Sequence, residues 1–226
     1  MPDKTSDFRN GHRQRLRDKF TESPHITDAE LLELLLTYAI PRIDVKPIVR
    51  ALINKFGSYG KIIAASKEEL LRIPGVGPNV ATYIKALHAG TLRDYVSSMK
   101  DSPVFHKYEI LENYCKMTLA DKNIEEFHVI YLDKNNQLIQ DDAHSVGTVD
   151  HAVAYPREIL KRALELNACH VILLHNHPSG SPIFSSDDIR ITKAVQTILK
   201  NVDINLHDHL LVADGKVFSA KAMNFI

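Results

Sequence analysis

His175-Asn176-His177-Pro178-Ser179-Gly180-Ser181-Pro182-Ile183-Phe184-Ser185-Ser186-Asp187-Asp188 lies between two stretches of different period. Before it runs Val171-Ile172-Leu173-Leu174, which has the length and branching of a buried strand. After it, Ile191, Val195, Ile198 and Leu199 fall at i, i+4, i+7 and i+8, which predicts a helix. Pro178, Ser179 and Gly180 turn the chain between the two. Side chains two apart on a strand point the same way, so His175 and His177 set two imidazoles side by side at the strand's end. Asp188 falls in the helix's first turn. A strand end, a tight turn and a helix start can bring a third ligand back to the first two. Two histidines and one carboxylate, with a position left to water, make the open catalytic arrangement for zinc. Two plainer readings cover parts of the string. Ser185-x-x-Asp188 is also a helix capping box, and a histidine pair at a strand end can be held by packing and hydrogen bonds alone.

The whole string, with Pro-Ser-Gly and Ser-x-x-Asp at this offset, resembles the JAMM (MPN-plus) metalloprotease motif and, more narrowly, the RadC family. The resemblance implies Zn2+ held by His175, His177 and Asp188, a glutamate base on an earlier strand, and Ser185 donating a hydrogen bond to the tetrahedral intermediate. Two glutamates stand together before Phe127, Glu125 and Glu126. Strand alternation sends them to opposite faces, so only one can serve. Periodicity does not choose, because both faces of that strand are partly apolar. The family pattern, Glu-x-Phe followed by an apolar strand and Leu-Asp, selects Glu125. Asp208-His209-Leu210 also resembles a RadC signature, and His209 reads either as support for a metal ligand or as a structural histidine. His128, His144, His151, His170 and His207 carry no assigned role.

The chain has 226 residues, 44% hydrophobic and 25% charged, enough for one large or two modest domains of ordinary soluble composition. No apolar run is long enough to span a bilayer. Met1 is followed by Pro2-Asp3-Lys4 and no apolar leader segment, so a cytoplasmic protein with no membrane partner is expected. Cys115 and Cys169 form no Cys-x-x-Cys and read as two reduced, buried thiols. Net charge is zero but unevenly spread: residues 1–100 hold 16 Lys+Arg against 11 Asp+Glu, and residues 101–226 hold 12 against 17. That asymmetry suggests two units with different partners.

Along the chain, residues 1–20 are basic and expected to be partly disordered, with Arg9, Arg13, Arg15, Arg17 and Lys19 forming a solvated face or a segment that touches phosphate. Thr27 and Glu30 form a capping box before a helix ended by Pro41. A second helix, marked by Val45, Ile48, Val49, Leu52 and Ile53, stops near Gly57. Residues 26–56 fit a degenerate first hairpin. Leu70 to Leu87, with Pro74-Gly75-Val76-Gly77-Pro78-Asn79 at its centre, looks like a helix-hairpin-helix, a motif that in the family grips DNA phosphates without reading sequence. Physically, Pro74 ends one helix, two glycines make the turn, and the next helix opens with free N–H groups. Gly75, Gly77 and Asn79 are its candidate nucleic-acid contacts.

The polar stretch Ser97-Ser98-Met99-Lys100-Asp101-Ser102-Pro103 reads as a junction, giving a helical domain over 1–98 and a second domain over 104–226. That second domain is expected to open with a helix near 106–120. Strand Phe127–Leu132, a turn, a return strand from Gln137, a short strand His144–Val149, a helix from Pro156, strand 170–175, helix 186–200 and strands 204–212 and 216–219 follow. Strands alternating with helices predict an α/β (α+β) mixed sheet flanked by helices, and the resemblance implies a fold like that of the zinc deaminases. Deaminase chemistry itself needs His-x-Glu and Pro-Cys-x-x-Cys, and the chain has neither. The leading expectation is a zinc metallo-hydrolase cleaving amide bonds of an unidentified protein or peptide. The alternative is a DNA-associated repair or recombination accessory with a non-catalytic metal site.

Overall fold

A computed structural model describes residues 4–23, 25–106, 108–146 and 155–226. The chain divides into two units, Met1–Gly90 and Thr91–Ile226. The first is helical: α1 (Lys4–Glu22), α2 (Asp28–Ala39), α3 (Lys46–Phe56), α4 (Tyr59–Ala64), α5 (Lys67–Leu71) and the first half of α6 (Pro78–Asp101). Thr27 and Glu30 exchange both bonds of the capping box at the start of α2, and Ser66 and Glu69 do the same for α5. Chain ends of the helices are closed by long side chains. Arg13 of α1 donates to the carbonyls of Ile40, Pro41 and Ile43, and Lys85 of α6 donates to those of Ile63, Ala64 and Ala65 at 2.9–3.1 Å. The basic start of the chain, expected in part as a tail, is helical from Lys4. Residues 1–3 lie outside the described residues.

Between α5 and α6 the chain makes the hairpin turn. Gly75 has φ +86°, and a Cβ there would stand 2.8 Å from Ile48 Cγ1. Gly77 needs no positive φ, and a Cβ there would meet nothing within 4 Å.

The polar stretch from Ser97 is not a linker. It completes α6, and the division between the units falls earlier, at Gly90, inside that helix. Leu92, Tyr95, Val96 and Met99 recur at i, i+3, i+4 and i+7 and pack into the second unit's core. Composition hid this stripe, because the serines between its members face outward.

The second unit is a five-stranded mixed sheet in the order β2-β1-β3-β4-β5, formed by β1 (Glu126–Leu132), β2 (Leu138–Val146), β3 (His170–Asn176), β4 (Asn205–Ala213) and β5 (Lys216–Ser219). Only β3 and β4 are parallel, and the helix α9 (Ser186–Lys200) joins them. Helix α7 (Tyr108–Leu119) covers one face, over Ile130, Leu132, Ile172, Leu174, Leu210 and Val212. Helices α8 (Pro156–Glu165) and α9 cover the other, over Phe127, Val129, Tyr131, Val171, Leu173 and Leu206. A strand covered on both sides has no polar face, which is why 127–132 and 171–174 read as unbroken apolar runs. His144 to Val146 continue β2 instead of starting a separate strand, since the β1–β2 ladder runs on to Phe127–Ser145 and Glu126–Val146. Residues 147–149 and His151 lie outside the described residues. Cys115 is buried, Cys169 only half-buried, and both are free. No described helix is long and apolar enough to cross a membrane.

The hairpin glycines separate two roles. Gly75→Ala is expected to destabilise the helical unit by about 1–2 kcal/mol, through its left-handed backbone and the Ile48 contact. Gly77→Ala is expected to stay within about 0.5 kcal/mol of the parent. Urea unfolding of both variants followed by circular dichroism checks the contrast.

Candidate metal site

Strand β3 runs Val171, Leu173, His175 along the α9 face of the sheet, so His175 takes the place of the next core residue. On α9, Asp188, Thr192, Val195 and Leu199 are all buried and recur at i, i+4, i+7 and i+11. The helix's apolar stripe therefore turns polar in its first two turns, where it meets the end of β3. Gly180, at φ +77°, helps the loop reverse between the two. The structure thus brings His175, His177 and Asp188 together.

The spacing of their atoms is informative. His175 Nε2 and His177 Nε2 are 3.1 Å apart. Asp188 Oδ1 lies 3.5 Å from the first and Oδ2 3.4 Å from the second. A tetrahedral ion with bonds of about 2.0–2.2 Å has ligand-to-ligand edges of roughly 3.3–3.6 Å. The two histidine nitrogens are close to one such edge, and one ligand atom from each of the three residues lies within 4.8 Å of the others, so the residues could hold a metal ion of that class.

The hydrogen bonds behind the ligands fix which nitrogens carry protons. Thr192 Oγ1 donates its one proton to the carbonyl of Asp188, at 2.5 Å. At the bond between that hydroxyl and His209 Nδ1, 2.6 Å, the imidazole must then be the donor. Burial, followed by the nearby His175, pushes His209 well below the ordinary histidine range, so it is neutral and its Nε2 is bare. That nitrogen accepts from His175 Nδ1 at 2.8 Å, which leaves His175 Nε2 as a lone pair facing the cluster. His177 reaches the same state by a shorter route, because its Nδ1 donates to the Ser181 carbonyl at 3.0 Å. Two bare imidazole nitrogens 3.1 Å apart beside a carboxylate require a positive charge among them, either a proton or a metal ion. In the metal-free protein a proton serves. His177 is raised above the usual histidine value, chiefly by its bond to Asp188, against burial and with help from Ser181 and the charge of Glu125. Burial alone would push the Asp188 carboxyl up, but His175 and His177 outweigh it and hold it well below the carboxylate range.

The walls around this cluster are apolar. Phe127 stacks on His175 with ring centroids 6.2 Å apart, and Phe184 meets His175 edge-on at 5.7 Å and His209 at 5.3 Å. His175 and His209 are fully buried, whereas His177 keeps a partly open side.

The two adjacent glutamates part as alternation requires. Glu126 is buried on the α7 face, with Lys122 Nζ at 3.0 Å and His128 Nε2 at 3.4 Å. Glu125 is half-buried, and continuing the β1–β3 register from Phe127 and His175 sets it opposite His177. Ser185 is exposed. Its Oγ accepts from the Asp188 amide at 3.1 Å, and its own amide donates to Asp188 Oδ2 at 2.7 Å, a complete capping box. Gly75, Gly77 and Asn79 belong to the helical unit, in the turn before α6 and its first residues. Two residues at the cluster escape a reading by motif. Thr192 is signalled by its i+4 spacing from Asp188 on the helix stripe. Asn176 lies between the histidines, and its side chain bonds to β1.

Two outcomes follow for the metal-free protein titrated with Zn2+ as the probe. Thr192→Val, which removes the donor chain behind His175, is expected to weaken binding by about tenfold or more. Because a protonated imidazole has no lone pair, affinity should be level well above the raised His177 value. It should fall as the pH drops through that value, by about tenfold per unit for each imidazole that must lose a proton. Isothermal titration calorimetry from pH 5 to 8.5 reads both.

A family model described as the RadC-like JAB domain matches residues 105–225. One described as the helix-hairpin-helix motif matches residues 58–86. A UPF0758 protein of Ruegeria pomeroyi is 41% identical over 217 residues, covering 95% of this chain and 97% of that relative. A UPF0758 protein of Rhodobacter capsulatus is 41% identical over 209 residues, covering 92% and 98%. The sheet unit with its His-His-Asp cluster, the helical hairpin before it and relatives matching nearly end to end together make this chain a member of the RadC family of JAB-domain proteins.

Proposed function

We propose that the protein is a zinc-dependent amide hydrolase, a peptidase or isopeptidase, with His175, His177 and Asp188 as ligands, Glu125 as general base and Ser185 as hydrogen-bond donor. One observation carries it: the Nε2 atoms of His175 and His177 lie 3.1 Å apart, each about 3.5 Å or less from an Asp188 oxygen. Zinc suits two imidazoles and a carboxylate, and when bound it supplies a Lewis acid and lowers the pKa of water to about 7. Glu125, beside the open edge of His177, accepts the proton of the attacking water and passes it to the departing amine nitrogen. Ser185 Oγ accepts from the Asp188 amide, and its hydroxyl proton is the donor proposed for the carbonyl oxygen as charge develops there. The buried chain from Thr192 through His209 holds the His175 ring in orientation. Phe127 and Phe184 keep water off the inner side of the ring.

A second reading has its own support. The helix-hairpin-helix match and the positive balance of residues 1–100 favour a contact with DNA phosphates through Gly75, Gly77 and Asn79. The open space where a Cβ of Gly77 would stand allows close backbone approach. This contact is compatible with hydrolysis in the other unit. Fluorescence anisotropy with duplex and branched DNA should show binding that weakens as salt rises, and no binding at low salt removes this reading.

The purified protein is expected to carry one zinc per chain by elemental analysis, lost in His175→Ala and Asp188→Ala. Glu125→Gln should retain the metal and lose turnover by about 10²–10⁴-fold in a panel of peptide and isopeptide substrates. A wild-type protein that holds no stoichiometric transition metal and takes up none on dialysis would refute the hydrolase.

A further inference from the structure

Between the two histidines, Asn176 points to neither ligand. It is 2% exposed, and its carboxamide spans the backbone on either side of Glu125. Oδ1 accepts from the Glu126 amide at 2.9 Å, and Nδ2 donates to the Ile124 carbonyl at 3.1 Å. Strand pairing explains why a side chain is used. The β1–β3 ladder ends at Phe127 and His175, while Asn176 goes on pairing with Val212 of β4, and the His177 amide donates to the Val212 carbonyl. Continued two residues further, an antiparallel ladder would set Glu125 opposite His177 and meet the Ile124 carbonyl with the amide of residue 178. That residue is Pro178, which has no N–H. The Asn176 carboxamide, a donor and an acceptor in peptide-like geometry, supplies what the departing strand cannot.

On the α7 face the same turn is held from behind. Glu126 meets Lys122 and His128, and His128 meets Asp141 at 3.1 Å, which also accepts from the Tyr114 hydroxyl. The backbone of 124–126 is thereby fixed at both faces, and Glu125 is the residue left between the two clamped peptide groups.

We infer that Asn176 is a positioning residue: its bidentate bond to Ile124 and Glu126 stands in for the ladder bonds missing beyond Phe127 and His175, one of them the bond Pro178 cannot donate, and holds the Glu125 carboxylate beside His177. The inference rests on the reading of Glu125 as the base. It makes the middle residue of the His-Asn-His string part of the site although it touches neither metal nor substrate.

Two measurements test it. In the metal-free protein, Asn176→Ala should speed amide exchange at Glu126 by about tenfold or more, with Val129 and Leu173 in the same strands unchanged. The double variant Asn176→Ala/Pro178→Ala, which returns an N–H to residue 178, should recover part of that protection. Equal exchange at Glu126 in Asn176→Ala and wild type, or equal acceleration at Val129 and Leu173, overturns the clamp. The second measurement is a double-mutant cycle with Glu125→Gln on kcat of the zinc-loaded protein with the peptide and isopeptide panel. Asn176→Ala should reproduce most of the Glu125→Gln change, and the pair together should exceed it by less than about twofold. Independent, multiplying effects overturn the coupling to Glu125. A wild type that takes up no Zn2+ refutes the proposed hydrolase alone, because the exchange experiment reads the clamp without metal.

Discussion

The hydrogen bond between His175 Nδ1 and His209 Nε2 joins the elements that carry the His-His-Asp cluster. His175 ends β3, His209 stands on the neighbouring parallel strand β4, and His209 is bonded in turn to Thr192 of α9. Thr192 closes the circuit by donating to the carbonyl of Asp188, the residue whose carboxylate returns to His175. In a fully buried setting each member of such a ring must find its partner, because an unpaired polar group costs about 1–3 kcal/mol. The requirement turns a flexible set of rotamers and tautomers into one arrangement. It leaves one lone pair of His175 free in the direction where charge can be received. The same ring locks the first turns of α9 against the strand ends, so the triangle of ligand atoms needs no metal to draw it together.

The sheet divides the remaining chemistry between its faces. Toward α9 lie the imidazoles, Asp188 and the aromatic walls. Toward α7 lies a second polar set, in which burial pushes His128 down but the Asp141 and Glu126 carboxylates raise it beyond that. Neighbouring acids with opposite fates are the direct result. Glu126 is spent on Lys122 and His128, while Glu125 is half-buried and its charge is felt at His177. A polar cluster behind a strand edge stiffens that edge, and here it stiffens the turn that presents the proposed base.

The helical unit uses its polar groups differently. Side chains there serve as caps: Thr27, Ser66, Arg13 and Lys85 satisfy the helix ends. The amides opening α6 belong to the hairpin turn, in which Gly75 is required by backbone and packing while Gly77 is not. A glycine that the fold itself does not need is compatible with a surface approached closely by another backbone or a phosphate.

Local rules written in residue order were enough to read much of this chain. Capping pairs, the apolar runs of β1 and β3, the helical stripe of α9 and the two-residue spacing of His175 and His177 all express short-range geometry, and each has a period that survives in one dimension. The family pattern likewise marked His175, His177, Asp188, Glu125 and Ser185. The end of α6 was not legible, because its apolar stripe of Leu92, Tyr95, Val96 and Met99, only the last of them fully buried, is interleaved with serines and followed by a proline, as a linker would be. The tautomers, the partner of His209 and the partners of Glu126 were decided only by packing. They follow from contacts such as His175 with His209, 34 residues apart, and Asn176 with Ile124, 52 apart. A hydrogen-bond partner so distant in sequence leaves no periodic trace, because it is chosen by which strands lie side by side and which buried donors would otherwise go unmatched.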